Sequence, residues 1–376
     1  MATKNGMIRT PIWNDKLKRW KLDVQINGKR KSFYSSTPGR AGAKECYKKA
    51  EAWEAGMAPN GDTRVKDICD AFVENLKTQR SPSSAHWRKH ESICRNWIKP
   101  RIGMRRLNTI QDIQPLQEIL YDAFDAGLCK RSIANIRTTI VDIFKYARLR
   151  KATLFDPEGL VVSRYAPTKG RPALRVEDVV TLMQDDLTLH RGRPAREPFI
   201  NAWRFAAIMG WRPGEIIGLK HENINGDIVT IAGTINSRGE RTRGKNENAL
   251  RRAKLPPVAL KVLQQQRDLM ETLGIKSDYV FANTDGGPIS QSTYRHHWET
   301  YRAYHAIQEG TTPYSLRNTA ISAYKAIPKP LLDPVIGHSK TMDTWGVYGR
   351  ELDGDLDIVA REMQDAFSAL LERGEK

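Results

Sequence analysis

The chain has 376 residues, of which 61 are Lys or Arg and 43 are Asp or Glu, giving a formal net charge of +18. At roughly 150 residues per domain this length predicts two or three domains. An apolar content of 40% with 28% charged residues excludes a disordered chain. A basic excess this large points to a polyanionic partner, with nucleic acid ahead of a membrane surface. No apolar run approaches the roughly 18 residues of a membrane span, and the start, Met1-Ala-Thr-Lys-Asn-Gly, lacks the apolar core of a secretory signal. Cys46, Cys69, Cys94 and Cys129 are widely spaced, with no Cys-x-x-Cys pair. Neither a metal site nor a disulfide framework is expected, and a reducing cytoplasm fits.

The first part of the chain holds much of the excess charge: residues 1–60 carry 13 basic and 5 acidic side chains. Within it Trp20, Leu22, Val24 and Ile26 alternate with polar residues, the period of a half-buried strand. Asn27-Gly28 signals a two-residue hairpin because both residues tolerate positive φ. The return strand from Lys29 to Tyr34 carries the basic run Lys29-Arg30-Lys31. After Pro38-Gly39, Cys46, Tyr47, Ala50 and Trp53 recur at helical spacing. A small three-stranded sheet backed by one helix is expected over residues 1–58, its polar face able to enter a major groove as a β-ribbon.

Gly56 to Asp62 reads as a linker. An all-helical part follows over residues 62–160. Its first helix places Val65, Ile68, Phe72 and Leu76 on one stripe. The second contains His86, Trp87, Ile93 and Trp97 and is expected to end at Pro100. The third, with Leu116, Ile119, Leu120 and Phe124, closes at Gly127. The fourth starts at Ser132 as its N-cap and carries Ile133, Ile136, Ile140, Ile143, Phe144 and Ala147 on its apolar face. Lys130, Arg131 and Arg137 flank that start and are candidate phosphate contacts.

A second linker, rich in Pro and Gly, spans about 156–172. The remainder, 173–376, reads as a mixed α+β part. It has a helix from Arg175, a long helix around Phe199–Gly210, a strand at Ile228–Ala232, a basic hairpin from Ser237 to Lys254, and then mostly helices. The last helix carries Ile358, Val359, Met363, Phe367 and Leu370. It is read either as packing on its own domain or as docking on a neighbouring copy.

Three ordered blocks in this last part carry chemistry. They are Gly210-Trp211-Arg212-Pro213-Gly214-Glu215, then Thr312-Pro313-Tyr314-Ser315-Leu316-Arg317, then Ile336-Gly337-His338 running on to Tyr348. With these residues the sequence resembles the tyrosine recombinases, the phage and transposon integrase family. The resemblance makes Arg212, Arg317 and His338 catalytic and Tyr348, ten residues beyond His338, the nucleophile. It also requires a lysine from a β-hairpin between the first two blocks. Gly244-Lys245-Asn246, ahead of Arg251-Arg252-Ala253-Lys254-Leu255-Pro256, selects Lys245, with Lys254 and Lys220 as weaker alternatives. Tyr314 occupies the position where the family usually has histidine. An unperturbed phenol, with a pKa of about 10, accepts a proton poorly near neutral pH, though it can donate a hydrogen bond to a phosphate.

The residue types suit phosphoryl transfer. Arg212 and Arg317 supply two guanidinium forks for the charge that builds on non-bridging phosphate oxygens. The Tyr348 phenol gives a covalent phosphotyrosine that conserves bond energy for rejoining. Lys245 protonates the departing 5′ oxygen, His338 contacts the phosphate or assists proton transfer, and Glu215 orients Arg212. No cofactor and no metal are needed.

The resemblance further implies a multidomain, mainly α protein with small β-sheets. It would comprise an arm-type DNA-binding domain (1–58), a helical core-binding domain (62–160) and a catalytic domain (173–376). It implies double-stranded DNA as partner, with core-type and arm-type attachment sites, a homotetramer on that DNA, DNA-bending accessory proteins, and the nucleoid of a bacterial host. Two alternatives stand beside it: a DNA-binding regulator that keeps the fold without cleavage, and a type IB topoisomerase with the same covalent chemistry.

Overall fold

The structure, a computed structural model, describes residues 10–26, 29–56, 63–78, 84–168, 170–236, 239–242, 250–338 and 352–374. Asn27-Gly28, Lys245 and Tyr348 lie outside the described residues, as does the side chain of Lys29. The chain divides into two compact units, Met1–Lys169 and Gly170–Lys376. It is mainly helical with small antiparallel sheets. No described helix is long and apolar enough to cross a membrane.

The first unit holds two hydrophobic cores. The smaller lies between a helix and a sheet. Strands Ile12–Asn14, Arg19–Ile26 and Lys29–Ser35 form an antiparallel sheet in chain order, with Leu22 opposite Phe33 and Asp23 opposite Ser32. The two-residue period turns Leu22, Val24 and Phe33 toward Cys46 and Ala50 of helix Gly39–Gly56. The same period splits the basic run between faces. Lys31, opposite Val24, shares the helix-side face and lies over the Phe33 ring at 5.7 Å. Arg30 is on the other face, where Lys21, Arg30 and Ser32 all engage Asp23.

The larger core of this unit is helical. Helices Val65–Thr78, Ser84–Ile93, Gln114–Asp125 and Lys130–Leu149 bury the apolar stripes expected from their spacing. Two boundaries differ from the sequence reading. The second helix does not end at Pro100. It passes through a π-helical turn, Cys94–Ile98, into Lys99–Ile102, with the Lys99 N–H donating to the Cys94 carbonyl. The wider turn takes up the ring that would otherwise strike the preceding turn of an α-helix. The fourth helix starts at Lys130 with Cys129 at the N-cap, and Ser132 lies inside the first turn. Arg137 on this helix donates to the Leu160 carbonyl at 2.6 Å and the Glu158 carbonyl at 3.2 Å, so its fork braces the following segment. Lys130 and Arg131 are exposed.

In the second unit, strand Arg251–Lys254 pairs with Ile228–Ile231, which pairs in turn with Ile224–Asn225. Within the basic stretch from Ser237 to Lys254, residues 237–238 and 243–249 lie outside the described residues, and the described strands pair with earlier ones. Arg241–Thr242 pairs with Thr234–Ile235, and Arg251–Lys254 returns to an earlier strand. A further hairpin, Leu187–His190 with Arg193–Arg196, has little sequence signal because its inward side chains are few. Helix Ile200–Met209 is buried at every position and is the central post of the unit. Packed around it are helices Val176–Gln184, Pro257–Thr272, Gln291–Tyr304 and Pro313–Ala323.

The terminal helix Asp355–Gly374 packs on this same unit. Val359, Ala360, Met363 and Phe367 are buried, while Ile358 faces solvent and Leu370 is partly covered. Its Asp357 pairs with Lys254, and its Gln364 accepts the backbone N–H of Val258 at 2.8 Å.

Two outcomes follow from this packing. Phe367→Ala is expected to lower unfolding stability by about 3–5 kcal/mol, read from the urea midpoint of the protein; a shift under about 1 kcal/mol would place the helix off its own domain. The second concerns His90, which is 1% exposed with Nδ1 at 3.0 Å from the Thr139 hydroxyl. Burial, helped by the charges of Lys89 and His86, pushes its pKa from 6.5 down to about 4. Only the unfolded state takes up this proton between those values, so the His90 contribution is full above pH 6.5 and is lost as pH falls toward 4. His90→Gln should flatten the fall in stability over that window, and an unchanged slope would contradict the assignment.

Candidate active site

Three chain segments meet at the end of one short helix, Lys329–Ile336. A helix C-terminus leaves its last carbonyls without intrahelical partners and carries partial negative charge. Here the partners are arginines. The Val335 carbonyl accepts from Arg251 Nε at 3.0 Å and from Trp211 Nε1 at 3.1 Å. The Ile336 carbonyl accepts from Arg317 Nη1 at 2.6 Å, and the Gly337 carbonyl from Arg212 Nη2 at 2.8 Å. Arg212, Arg317 and His338, far apart in sequence, are thus brought to one place.

Each arginine is positioned by its own element. The buried helix Ile200–Met209 stops at Gly210, whose φ of +64° is the left-handed conformation open to glycine. The chain then extends through Trp211 and Arg212 and re-enters a helix at Pro213–Ile216, with Pro213 in the first turn, where its missing N–H costs nothing. Glu215, three residues on, accepts from the Arg212 backbone N–H at 3.0 Å and from its Nη1 at 2.9 Å. Arg317 comes from helix Pro313–Ala323 and also donates to the Gly210 carbonyl at 2.8 Å.

Exposure separates the arginine roles. The Arg212 side chain is 41% exposed, whereas Arg317 is 2% exposed. Burial, reinforced by the positive charge of Arg212, pushes the Arg317 pKa down to about 10, which still leaves it charged at neutral pH. Burial works to raise the Glu215 carboxyl, but the hydrogen bonds and charge of Arg251 and Arg212 prevail and hold it below the usual carboxylate value. Arg251, which the sequence reading assigned no role of its own, makes a two-bond contact with Glu215 at 3.2 and 2.8 Å.

His338 follows directly on the helix end. Its Nδ1 lies 3.0 Å from Asp333 Oδ1, and its backbone N–H donates to the Asp333 carbonyl at 3.0 Å. A proton on Nδ1 facing that carboxylate sets the tautomer that makes Nε2 the acceptor of the neutral ring. Asp333 carries no motif signal; only the helical turn brings it under His338. Tyr314 is half-buried one turn before Arg317, with the Arg171 guanidinium 4.4 Å from its ring centroid. Arg171 is held there in turn, its carbonyl accepting from Asn318 Nδ2 at 2.8 Å.

The lysine alternatives are otherwise engaged. Lys254 pairs with Asp227 and Asp357, and Lys220 pairs with Asp278 beside the Tyr279 ring. Among the described residues no group of His, Cys, Asp and Glu is arranged to hold a metal ion.

In this mixed domain, arginines from separate segments thus close on one helix end beside a histidine. Residues 172–353 match the phage integrase family, which supports a tyrosine recombinase. No curated protein is matched by the sequence. In fold the chain is similar to the Tn1549 transposon integrase in complex with a circular intermediate DNA. That likeness has a TM-score of 0.61 at 15% identity and covers 78% of this chain and 98% of that one. It is also similar to a lambda integrase dimer bound to a COC′ core site, with a TM-score of 0.56 at 16% identity, covering 94% of this chain and 99% of that one. A lambda integrase tetramer bound to a Holliday junction gives a TM-score of 0.57 at 16% identity, covering 90% and 98%. A shorter lambda integrase fragment bound to DNA covers 77% of this chain.

Gly337 joins the helix end to His338 with a φ of +73°, and a Cβ built there would lie 2.6 Å from the Arg251 guanidinium carbon. Gly337→Ala is therefore expected to cost at least about 1–2 kcal/mol from the left-handed backbone alone, seen as a lower urea midpoint. A neutral substitution would mean that the helix end is not held as described.

Proposed function

We propose that the protein is a site-specific DNA recombinase, an integrase that cuts and rejoins duplex DNA through a 3′-phosphotyrosine intermediate. The convergence of Arg212, Arg317 and His338 on the end of helix Lys329–Ile336 carries this reading. Arg317, buried and still charged, and Arg212, partly exposed, are suited to hold the scissile phosphate through the transition state. In this reading Tyr348 attacks phosphorus and the 5′-oxygen departs, taking a proton from Lys245. The reverse attack by a 5′-hydroxyl releases the tyrosine. His338, backed by Asp333, handles the phosphate or its proton. Tyr314 donates a hydrogen bond to the phosphate in place of the usual histidine, its ring supported by Arg171. No cofactor takes part.

The partner in this proposal is duplex DNA. Residues 62–160, led by Lys130 and Arg131, and residues 173–376 grip the core site. The sheet of residues 1–58, through Lys29, Arg30 and Lys31, takes a separate arm-type site. The wider coverage by the longer lambda integrase structure than by its fragment supports a counterpart for this front part. Arg137, a further candidate phosphate contact, also braces the segment after its helix through the Leu160 and Glu158 carbonyls. Recombination between two sites requires four protomers, and DNA-bending accessory proteins fit the arm-site arrangement. The natural setting is the nucleoid of a bacterial host carrying a phage or mobile element. The packing of helix Asp355–Gly374 on its own unit favours assembly through other contacts.

The test uses a nicked suicide substrate that traps the covalent intermediate. Wild-type protein is expected to form a protein–DNA adduct. Tyr348→Phe should bind the same DNA yet form none, because only the attacking hydroxyl is removed. Adduct at undiminished yield in that variant would remove Tyr348 as nucleophile. Binding without any adduct in the wild type would favour the regulator that keeps the fold without cleavage, and relaxation of supercoiled DNA without recombination would favour the topoisomerase.

A further inference from the structure

The Glu215 carboxylate serves two arginines at once. Oε1 accepts from Arg212 Nη1 at 2.9 Å and from Arg251 Nη1 at 3.2 Å. Oε2 accepts from the Arg212 backbone at 3.0 Å and from Arg251 Nη2 at 2.8 Å. The two arginines differ in what else they can reach. The Arg212 side chain is 41% exposed, and its two side-chain hydrogen bonds leave Nε–H and one hydrogen on each Nη for a ligand. The Arg251 side chain is 7% exposed, under the Glu215 carboxylate and against Gly337. Among the described residues it also contacts the Val335 and Ile336 carbonyls and the Trp211 ring. Among the described residues Arg251 is covered by these groups rather than presented to a ligand.

We infer that Arg251 is a positioning residue for the cutting reaction, dividing the Glu215 carboxylate so that Arg212 stays open to phosphate and fixing the Gly337-His338 peptide. The inference rests on the integrase reading and names a residue through which that site is held. Its physical basis is the geometry of ion pairing. A buried carboxylate facing a single arginine closes on both ends of its fork. Arg251 occupies the second set of lone pairs, so Arg212 meets Glu215 through one Nη only and turns the rest outward. The same guanidinium bonds to Val335, two residues before Gly337. Losing it would leave Glu215 buried with a single cation and would loosen the step into His338.

The test compares Arg251→Gln and Arg251→Lys with wild type. Its readouts are adduct formation on the suicide substrate, mobility-shift affinity for a single core site, and the pH profile of cleavage. Arg251→Gln should slow adduct formation between about tenfold and a hundredfold, with affinity nearly unchanged. The acid limb of its pH profile should move upward. The groups facing Glu215 are Arg212 and Arg251, with Arg317 close by; without Arg251, burial raises the carboxyl and its protonation releases Arg212. Arg251→Lys keeps the charge without the fork, so it should restore the position of the acid limb and recover part of the rate.

Wild-type cleavage rate and pH profile in Arg251→Gln would overturn the inference. So would equal losses in both variants, tracking a lowered thermal midpoint with no movement of the acid limb, because that pattern marks a purely structural residue. A wild type that forms no adduct overturns the integrase reading and this inference with it. A cleaving wild type beside an indifferent Arg251→Gln overturns the inference alone.

Discussion

The site depends on how the end of helix Lys329–Ile336 is satisfied. Three successive carbonyls, of Val335, Ile336 and Gly337, point away from the helix without intrahelical donors. Arginines from three different elements donate to them, Arg251 reaching both Val335 and Ile336, and that exchange solves two problems at once. The carbonyls gain donors, and the cations gain partial negative charge at a helix C-terminus. Arg317, 2% exposed, would be costly to bury without the Gly210 and Ile336 carbonyls. The helix end therefore holds the arginines in a fixed arrangement, the preorganisation on which the proposed phosphate site relies.

Glu215 completes the balance. Arg212, Arg251 and Arg317 crowd together, and burial, reinforced by the charge of Arg212, lowers the pKa of Arg317. One carboxylate, 5% exposed and held ionised by two of these arginines, offsets that charge and ties the first segment to strand Arg251–Lys254. The surplus of positive charge that remains is directed outward through Arg212. Around this cluster the buried helix Ile200–Met209 sets the distances. Gly210 at its end leaves room for Ala320, which a Cβ would approach to 3.1 Å, so helix Pro313–Ala323 can lie close enough for Arg317 to reach the same carbonyls.

The basic charge of the chain is used less uniformly than its excess suggests. Arg137 donates to the Leu160 and Glu158 carbonyls and Lys254 pairs with Asp227 and Asp357, while Arg30 pairs with Asp23 yet keeps its side chain largely exposed. Lys130 and Arg131 are exposed on the same helix as Arg137. Neighbouring basic residues in a sequence thus differ in what they engage, and the two-residue period of the strand puts Arg30 and Lys31 on opposite faces.

What the amino-acid sequence determined by itself is what adjacent residues decide. Alternation from Trp20 to Val24 marks a strand, recurrence of Ile133, Ile136, Ile140 and Ile143 marks a buried helix face, and Arg212 with Glu215 three residues on already implies a local pair. The ordered blocks around Arg212, Arg317 and His338 were legible for the same reason, since each is short and contiguous. Helix boundaries were less so. Pro100 is carried by a π-helical turn, and Cys129 rather than Ser132 precedes the fourth helix, because tertiary packing outweighs local capping preference. Long-range pairing was not legible at all. Arg251 is 36 residues from Glu215 and 84 from Val335, and strand Arg251–Lys254 joins Ile228–Ile231 rather than its sequence neighbours. No local pattern encodes which buried carboxylate an arginine will meet. That choice belongs to the folded chain, where a buried charge is stable only beside the partner that the packing brings to it.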